Sequence, residues 1–571
     1  MPKQKIDAYD FKGLDYRVPP TLLNPQYFSK CQNIVIRDGV VSQRPGHTSF
    51  TANIVEKVVA MATLQMFTGY WYLIAFTQQQ VFVYNVVTDE FDCISGDKYF
   101  SVDAPGWCWL SIRDQLVISN GQDGMWEWNG YEDLKQMVDA DGEPVTISPR
   151  VMLAYGERIC IFNVNDGVQQ YPQRIQASTI SNLGDFTGTG SYGADLFTQL
   201  SADKIMNAEV LADTVMVYGE DHIVGFYYVG GEKIFDVQPI VLTKGLWAPN
   251  ALIAFPDRHY FLGRDNLYTF AGNTQVDEFG DQVRKELFRT ILRDAHELAF
   301  MEYREETGEL VLFYPVQSNE YCDRYMAYNI ITKSWVSGTA AHYCGSRYRT
   351  TASYTIGDLV RPDGTPMLIG ELPGTIGSYI TGSNVPYSAY SVKNNNNPPI
   401  ADYSMFDLDL DNVIGDDDIL RAIDRWADGE ISADTLTTLI GLWAADTKVY
   451  SLAPTRIVQL DVNNLTDCED NIECYVDTKD FTADKPDEYL YFWSILLEAR
   501  GIGLTVQYST DEGNSYANLL TSAITPAWES VWSDLDIVGK KVRFRIKNFT
   551  QRSYFQLRRI ILELDKGSNI I

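Results

Sequence analysis

The residues best suited to chemistry are a run of acidic side chains in the loop 407–418, DLDLDNVIGDDD. Calcium binds about six to eight oxygen ligands in a flexible geometry. Carboxylates stand at the first, third, fifth and twelfth positions of the loop, and the seventh position offers a backbone carbonyl. The predicted ligands of a Ca²⁺ ion are Asp407, Asp409, Asp411, Val413 and Asp418. Coordination would occupy all of them, so the predicted role of the ion is rigidity, not catalysis.

The sequence around this loop favours the same interpretation. Ile414 is the apolar residue that anchors such a loop, and Asn412 tolerates the positive φ that the sixth position requires. An Asp at the twelfth position resembles dockerin modules more than standard EF-hands. A second, poorer copy over residues 424–435 is predicted to be metal-free. The alternative is an acidic helix start whose spacing arises by chance.

Other motifs predict structure instead of catalysis. Residues 188–193 match G-x-G-x-x-G, but no buried strand precedes them and no suitable helix follows, so a flexible loop is expected. Residues 509–516, STDEGNSY, resemble an Asp-box, in which Asp511 and Gly513 tighten a hairpin turn above an aromatic residue. None of the five histidines stands at metal-binding spacing to another, and HExxH, GxSxG and P-loop motifs are missing from the sequence. We therefore expect no enzymatic activity.

Charge and composition narrow the class of protein further. The 571-residue chain has a formal net charge of −30, which repels phosphate and argues against tight binding of nucleic acid. Aromatic residues make up 13% of the sequence, and they favour strands. Neither a signal peptide nor a transmembrane segment is expected, because the sequence has no apolar run of the required length. Assembly in the cytoplasm is the corresponding expectation.

The elements that must position any site are predicted to be short β-strands. Between residues 55 and 345, alternating apolar runs are separated by Gly, Asn and Asp turns. Strand–turn–strand units begin near Lys57, Trp107, Arg150, Asn207, Asn250 and Leu298. This period is typical of four-stranded blades and predicts a β-propeller of about six blades. A pair of β-sandwiches is the competing architecture, and one helix is expected around Gln282–Glu297.

Three regions follow from shifts in composition. Residues 1–393 are predicted to form an N-terminal arm and the propeller body. Residues 394–446 begin with the polar linker NNNNPP and continue as an acidic, helical insertion that carries the calcium loop. Residues 447–571 return to strand patterns and predict a β-sandwich-like C-terminal domain, which could complete the body.

Three stretches resemble known phage proteins. Residues 24–46, in which Asn24-Pro25 precede CQNIVIRDGVVSQRPG at 31–46, are similar to the opening of many phage virion proteins, with Asp38-Gly39 closing a hairpin and Pro45-Gly46 ending its second strand. Residues 213–272 and the phrase NLGDF at 182–186 resemble the tail hub or nozzle proteins of short-tailed bacteriophages, also called packaged-DNA stabilisation proteins. The insertion at 394–446 departs from that family.

The resemblance implies a virion structural protein of the phage tail, assembled in the host cytoplasm. Such proteins form a homo-oligomer, a hexameric ring, below the portal and adaptor proteins. The ring extends the channel, retains the packaged genome and attaches distal parts such as fibres, plugs or needles. Double-stranded DNA would pass through it without specific binding, in agreement with the acidic charge.

Two other classes remain open at this stage. A secreted or cellulosomal carbohydrate-active protein would explain the dockerin-like module and the Asp-box. A cytosolic propeller that serves as a scaffold for protein partners is the third possibility. Size in solution and activity on glycans separate these classes from a ring-forming nozzle.

Overall fold

The computed structural model shows a mainly β protein with many antiparallel sheets. It describes residues 4–567 apart from the following stretches: 50–53, 55, 67–70, 86–89, 103, 105, 197–202, 306, 349–386, 394–454, 462–465, 468–469, 484, 486–487 and 549–553. The chain begins with seven short strands: β1 (Gln4–Tyr9), β2 (Gly13–Leu14), β3 (Tyr27–Phe28), β4 (Lys30–Gln32), β5 (Ile34–Arg37), β6 (Val40–Gln43) and β7 (Gly46–Ser49). We call residues 4–49 the N-terminal arm.

Five four-stranded antiparallel sheets follow, each built from strands that are consecutive in the chain. The first holds β8 (Ala60–Gln65), β9 (Trp71–Phe76), β10 (Val81–Asn85) and β11 (Glu90–Cys93); the second holds β12 (Cys108–Ile112), β13 (Gln115–Ser119), β14 (Trp126–Trp128) and β15 (Lys135–Gln136). The third holds β16 (Ser148–Tyr155), β17 (Arg158–Asn165), β18 (Gln170–Ala177) and β19 (Tyr192–Asp195); the fourth holds β20 (Ile205–Leu211), β21 (Thr214–Gly219), β22 (Ile223–Gly230) and β23 (Ile234–Val241). The fifth holds β24 (Leu252–Ala254), β25 (His259–Leu262), β26 (Leu267–Phe270) and β27 (Asp277–Glu278). We call these the serial sheets.

Strand β17 shows why the serial sheets are apolar on both faces. Successive side chains of a strand point to opposite faces. Ile159 and Ile161 enter the core shared with the second sheet, whereas Cys160 and Phe162 enter the core shared with the fourth. All four side chains are fully buried. An uninterrupted apolar run here therefore reflects two packed faces.

Shared cores link each serial sheet to the next one along the chain. Separate hydrophobic clusters lie between the first and second, second and third, third and fourth, and fourth and fifth sheets. The first strands of neighbouring sheets, β8, β12, β16, β20 and β24, contact one another in that order. A further cluster returns to the first sheet, where Met61, Leu73 and Ala75 pack against Tyr348, Ala389 and Ile457.

An eleven-stranded sheet follows the fifth serial sheet. A helix, α1 (Asp281–Thr290), and a 3₁₀ helix (Arg293–Leu298) lead into β28 (Phe300–Arg304), β29 (Glu309–Tyr314), β30 (Cys322–Asn329), β31 (Trp335–Tyr348), β32 (Tyr387–Lys393), β33 (Thr455–Asp461), β34 (Thr466–Asp467) and β35 (Asp470–Asn471). The N-terminal strand β7 pairs with β33, and β2 and β3 join the same sheet. β24 contacts β28, and the long β31 contacts β8.

The C-terminal strands form two six-stranded sheets that include the N-terminal arm. The strands are β36 (Tyr475–Asp477), β37 (Phe481–Thr482), β38 (Tyr489–Gly501), β39 (Gly503–Ser509), β40 (Ala517–Ala523), β41 (Glu529–Gly539), β42 (Lys541–Asn548) and β43 (Phe555–Gly567). One sheet has the order β41-β38-β43-β6-β5, with β1 also pairing with β43; the other has the order β4-β36-β42-β39-β40, with β37 on β42. Their inner faces share one core, in which Phe492 and Phe544 have ring centroids 5.3 Å apart. We call these two sheets the woven sheets.

Several predictions from the sequence are confirmed at the level of single elements. The six predicted units coincide with the first strands β8, β12, β16, β20, β24 and β28, and the predicted C-terminal strands with β38, β39, β42 and β43. The predicted helix around Gln282–Glu297 is α1 followed by the separate 3₁₀ helix, because Ile291 has an extended backbone that ends α1. Within the described residues, no helix has the length and apolar character needed to cross a membrane.

Candidate functional site

The predicted calcium loop lies outside the described residues. Asp407, Asp409, Asp411, Val413 and Asp418 therefore stay a prediction. Over the part of the chain that the structure describes, no group of three or more His, Cys, Asp or Glu side chains could hold a metal ion.

The Asp-box residues form the tight turn between β39 and β40 that their sequence predicts. The Asp511 carboxylate accepts hydrogen bonds from the hydroxyls of Ser509 and Ser515, both at 2.6 Å, and from the Ser515 amide at 2.9 Å. These bonds hold the pKa of Asp511 well below its usual range. The Tyr516 hydroxyl donates to Asp477 at 2.7 Å, and the Arg545 guanidinium stacks over the Tyr516 ring. The motif is therefore a structural device on one of the woven sheets.

The G-x-G-x-x-G residues form a turn that leads into β19. Among the described residues, the motif leads into a strand and not into the helix that a dinucleotide-binding turn requires. The Arg158 guanidinium instead donates to the carbonyl oxygens of Ser178, at 2.6 Å, and Gly190. The turn is thereby fastened to β17.

The N-terminal motif at residues 33–46 is the point where the arm joins the rest of the molecule. Asp38 and Gly39 have φ values of 49° and 73° and close the β5–β6 hairpin, as predicted. Asn33 adopts a left-handed backbone, with φ 54°. Its side-chain amide donates to the Glu473 carbonyl at 2.9 Å and to the Thr339 hydroxyl at 3.0 Å. One side chain thus ties the arm to β31 and to the chain just before β36.

Arg44 continues this junction with a buried ion pair. Its guanidinium pairs with the Asp467 carboxylate through both terminal nitrogens, with one N–O distance of 3.0 Å, and its Nε donates to Asn33 Oδ1 at 3.3 Å. His47 Nδ1 lies 2.8 Å from Asp467 Oδ1. Because an ionised carboxylate only accepts, Nδ1 carries the proton of the neutral ring. Gly46 leaves no room for a side chain, since a Cβ atom there would lie 2.0 Å from the Thr466 carbonyl oxygen.

A second buried cation lies on the other side of His47. Arg304 Nε donates to the Tyr390 hydroxyl at 2.7 Å, and its guanidinium lies 5.4 Å from the centre of that ring. The His342 ring stands between the two halves, with its centroid 5.4 Å from His47 and 4.7 Å from Tyr390. The six side chains Arg44, His47, Arg304, His342, Tyr390 and Asp467 form what we call the closure cluster. They come from β28, β31, β32, β34, β7 and the residues before β7.

Burial and neighbouring charges set the protonation states in the closure cluster. Burial lowers the pKa of His47, and the Asp467 carboxylate opposes this only in part. Burial lowers the pKa of His342 further, and nearby His47, Arg304 and Arg44 add to the effect. Burial alone would raise the pKa of Asp467, but Arg44 and His47 outweigh it and hold that pKa far below its usual range. Both histidines are therefore neutral at pH 7, beside two cations.

This arrangement fits a clamp better than a catalytic centre. Arg44, His47, Arg304, His342 and Tyr390 are all nearly inaccessible to solvent. The cluster joins the N-terminal strand β7 to four strands far along the chain, β28, β31, β32 and β34. Removing Arg44 or Asp467 would leave the charge of its partner uncompensated.

Sequence reasoning identified only part of this site. The stretch that includes Asn33 and Arg44 was singled out as a motif, but the partners Asp467, Arg304 and Tyr390 carried no local signal. The spacing of His47 and His342 in the sequence does not predict that the two rings lie together. Two polar residues that interrupt apolar strands, Arg304 in FMEYR and His342 in the long β31, were the available hints.

Comparisons with known proteins show no family. No protein-family model matches the chain, and no curated protein does. Among solved structures, the computationally designed Ika8 protein is 11% identical with a TM-score of 0.31, over 53% of this chain and 86% of that one. The AfRom2 CNH domain is 10% identical with a TM-score of 0.31, over 52% and 89%. Apo AztD from Citrobacter koseri is 9% identical with a TM-score of 0.26, over 55% and 85%.

Proposed function

We propose that the serial sheets and the eleven-stranded sheet form a β-propeller. Hydrophobic clusters between successive sheets, with a last cluster back to the first sheet, support a closed ring. β31 pairs with β30 through its first half and with β32 through its second half. In this proposal its first half completes the sixth blade, and its second half begins a seventh blade with β32, β33 and β7. The count is one more than the sequence period predicts.

The protein in this proposal is a non-enzymatic structural subunit of a bacteriophage tail nozzle. It assembles as a hexameric ring below the portal and adaptor, continues their channel and carries distal tail parts. The observation that carries the proposal is the role of the motif at residues 33–46. The stretch that resembles phage virion proteins supplies the buried residues that join the arm, the eleven-stranded sheet and the woven sheets.

The pairing of β1 with β43 supports a role in which the subunit must resist mechanical force. β1 and β43 pair with each other over Gln4–Tyr9. The Arg559 guanidinium holds the Asp7 carboxylate at 2.8 and 2.6 Å. Terminal strands are where local opening normally starts. A subunit whose terminal strands pair with each other resists that opening, which suits the wall of a channel that retains a compressed genome.

The experiment is electron microscopy of the purified chain, alone and mixed with a portal–adaptor complex from a short-tailed phage. The proposal expects six-fold rings, or density at the distal end of the portal. In a gel-shift assay, double-stranded DNA should show no retardation, because the net charge of −30 repels it. Dispersed monomers that ignore the portal would contradict the proposal. Hydrolysis of glycans by those monomers would support the carbohydrate-active alternative.

The same proposal includes a Ca²⁺ ion in the loop 407–418. Calorimetric titration of the metal-stripped chain should show one Ca²⁺ site. Asp411→Ala removes a predicted ligand and should abolish it, whereas Asp402→Ala, outside the loop, should leave it unchanged. No heat of binding in the unmodified chain would contradict the calcium hypothesis without affecting the nozzle.

A further inference from the structure

The outer face of one woven sheet carries exposed aromatic rings. Trp532 on β41 is 58% exposed and Trp493 on β38 is 38% exposed, although large aromatic side chains are usually mostly buried. Tyr491 lies two residues before Trp493 on the same strand, and their ring centroids are 4.2 Å apart. The inner face of the same strands is apolar and buried, as Phe492 and Val531 show.

Trp493 shares its face with Tyr491 by strand alternation, and a break in strand pairing after it brings Ser494 to the same face, where the Ser494 hydroxyl donates to Glu563 at 3.2 Å. The register of β38 shifts between Phe492 and Ser494 against both of its neighbours, β41 and β43. Such a bulge inserts one residue and re-aims a side chain, and bulges of this kind are frequent beside functional sites. Without it, Trp493 and Ser494 would point to opposite faces.

Carboxylates hold these rings in fixed orientations. The Trp493 indole Nε1 donates to Asp565 Oδ2 at 3.0 Å, and the Tyr491 hydroxyl donates to Asp536 Oδ1 at 2.7 Å. Fixing a ring before binding lowers the entropy cost of the complex. These hydrogen bonds distinguish the two rings from exposed aromatic side chains that have no polar partner to orient them.

A polar row separates the two aromatic positions. Ser494 stands opposite Asp534 on β41 and opposite Glu563 on β43, and Trp532 lies in the next row, opposite Leu496. Trp532 and Asp536 stand four positions apart on β41, which corresponds to about 13 Å at the usual rise of a strand. Asp536 is the residue of β41 that lies beside Trp493. The surface therefore alternates ring, polar row and ring over the length of a short oligosaccharide.

The chemistry of this surface selects among possible partners. Asp534, Asp536 and Asp565 repel nucleic acid, and they disfavour a second copy of this acidic chain. Asp536 and Asp565 each accept one hydrogen bond from a ring and keep their negative charge, so a basic protein is the competing partner that the test must separate. A neutral sugar has an apolar C–H face that packs on an aromatic ring, and hydroxyls that donate to carboxylates.

We propose that Tyr491, Trp493, Trp532 and Asp534, with the orienting carboxylates of Asp536 and Asp565, form a binding site for a neutral oligosaccharide. The ligand lies across β38 and β41, with sugar rings over Trp493 and Trp532 and hydroxyls on the polar row. The site is one of binding and involves no bond cleavage. It goes beyond the proposed nozzle function and does not depend on ring formation.

The test uses the full chain on an array of immobilised neutral hexasaccharides of glucose, mannose, galactose and N-acetylglucosamine, with sialylated and sulfated oligosaccharides and a decalysine peptide beside them. Binding to at least one neutral spot is expected, and raising NaCl from about 0.15 M to about 1 M should change it little, because no ion pair is involved. Trp493→Ala and Trp532→Ala should each weaken it roughly ten-fold or more. Trp532→Phe keeps a ring and should lose less.

Tyr131→Ala is the matched control, since Tyr131 is an aromatic residue that is 79% exposed elsewhere on the surface. It should bind like the unmodified chain, and circular dichroism should show that every variant is folded. Three outcomes would overturn the proposal: no neutral oligosaccharide bound, binding unaffected by Trp532→Ala, or binding only to the decalysine peptide that is lost at high salt. The last would identify a basic protein partner instead.

Discussion

The serial sheets and the woven sheets use the same kind of strand, but they are assembled differently. Each serial sheet consists of four strands that are neighbours in the chain, and its core is shared with the next sheet along. Each woven sheet mixes strands from the N-terminal arm with strands beyond residue 474. Pairing between strands that are neighbours in the chain therefore builds the serial sheets, whereas pairing between distant strands builds the woven sheets.

The two regions also differ in the polar pairs they bury. The clusters between the serial sheets contain apolar side chains such as Phe226 and Phe235, whose centroids are 4.4 Å apart, and the fourth sheet also buries His222 beside Asp203. Arginine–carboxylate pairs are found instead at the junction, where the buried Arg44 holds the partly exposed Asp467, and inside a woven sheet, where Arg543 and Asp480 are both buried. Apolar packing tolerates variation in partner, whereas a buried ion pair requires one geometry. The polar junction thus specifies which distant strands meet.

Among the substitutions considered, one that breaks the closure cluster should lower the free energy of unfolding the most. Arg44→Met leaves Asp467 and His47 without their cation and should lower the free energy of unfolding by about 3 kcal/mol, the low end for a buried pair, because Asp467 is partly exposed to solvent. Arg174→Met removes a partly exposed pair with Asp195 on a serial sheet and should cost about 1 kcal/mol or less. Urea denaturation followed by tryptophan fluorescence compares the two. Equal losses would show that the buried pair has no special role.

A cavity in the serial sheets tests whether the serial sheets and the closure cluster open separately. Phe235→Ala removes a fully buried ring and should cost about 3 kcal/mol. Hydrogen exchange should accelerate mainly in β16–β23, since the affected cluster belongs to those two sheets. Arg44→Met should instead accelerate exchange in β7, β31 and β33 together. Uniform acceleration in both variants would contradict two separately organised regions.

Acidification should weaken the junction. Unfolded histidine takes up a proton near pH 6.5, whereas burial lowers the pKa of His47 and His342 in the folded protein. The unfolded state therefore binds more protons, and stability should fall as the pH drops below 6.5. His342→Phe keeps an aromatic ring and should make this dependence shallower. Burial also lowers the pKa of His259, so that residue should account for part of the remaining slope.

The smallest effect is expected in the Asp-box turn. Asp511→Ala removes the acceptor of bonds from Ser509 and Ser515 and should lower the unfolding temperature slightly. The matched control Glu512→Ala removes only an exposed pair with Lys541 and should lower the unfolding temperature less. Thermal unfolding of both variants measures the difference. A larger loss for Glu512→Ala would contradict the structural role of Asp511.

Prediction from the sequence was most successful where a pattern repeats within one stretch. The first strands of the serial sheets, the β5–β6 hairpin and the Asp-box turn all lie where alternation, Gly turns and Asp spacing placed them. The closure cluster was not predicted, because its members share neither spacing nor composition. Nor was the position of Ser494 beside Trp493, which depends on a bulge against two neighbouring strands.

The sequence by itself determined that the chain is mainly β, where its local hairpins lie and that its surface is acidic. Those properties follow from side-chain alternation, turn residues and summed charge, and each is set within a few residues. Only the tertiary structure decided that His47 meets His342, that Arg44 finds Asp467 and that β1 pairs with β43. Pairing between distant strands depends on which partner completes a buried network, and no local pattern records that choice.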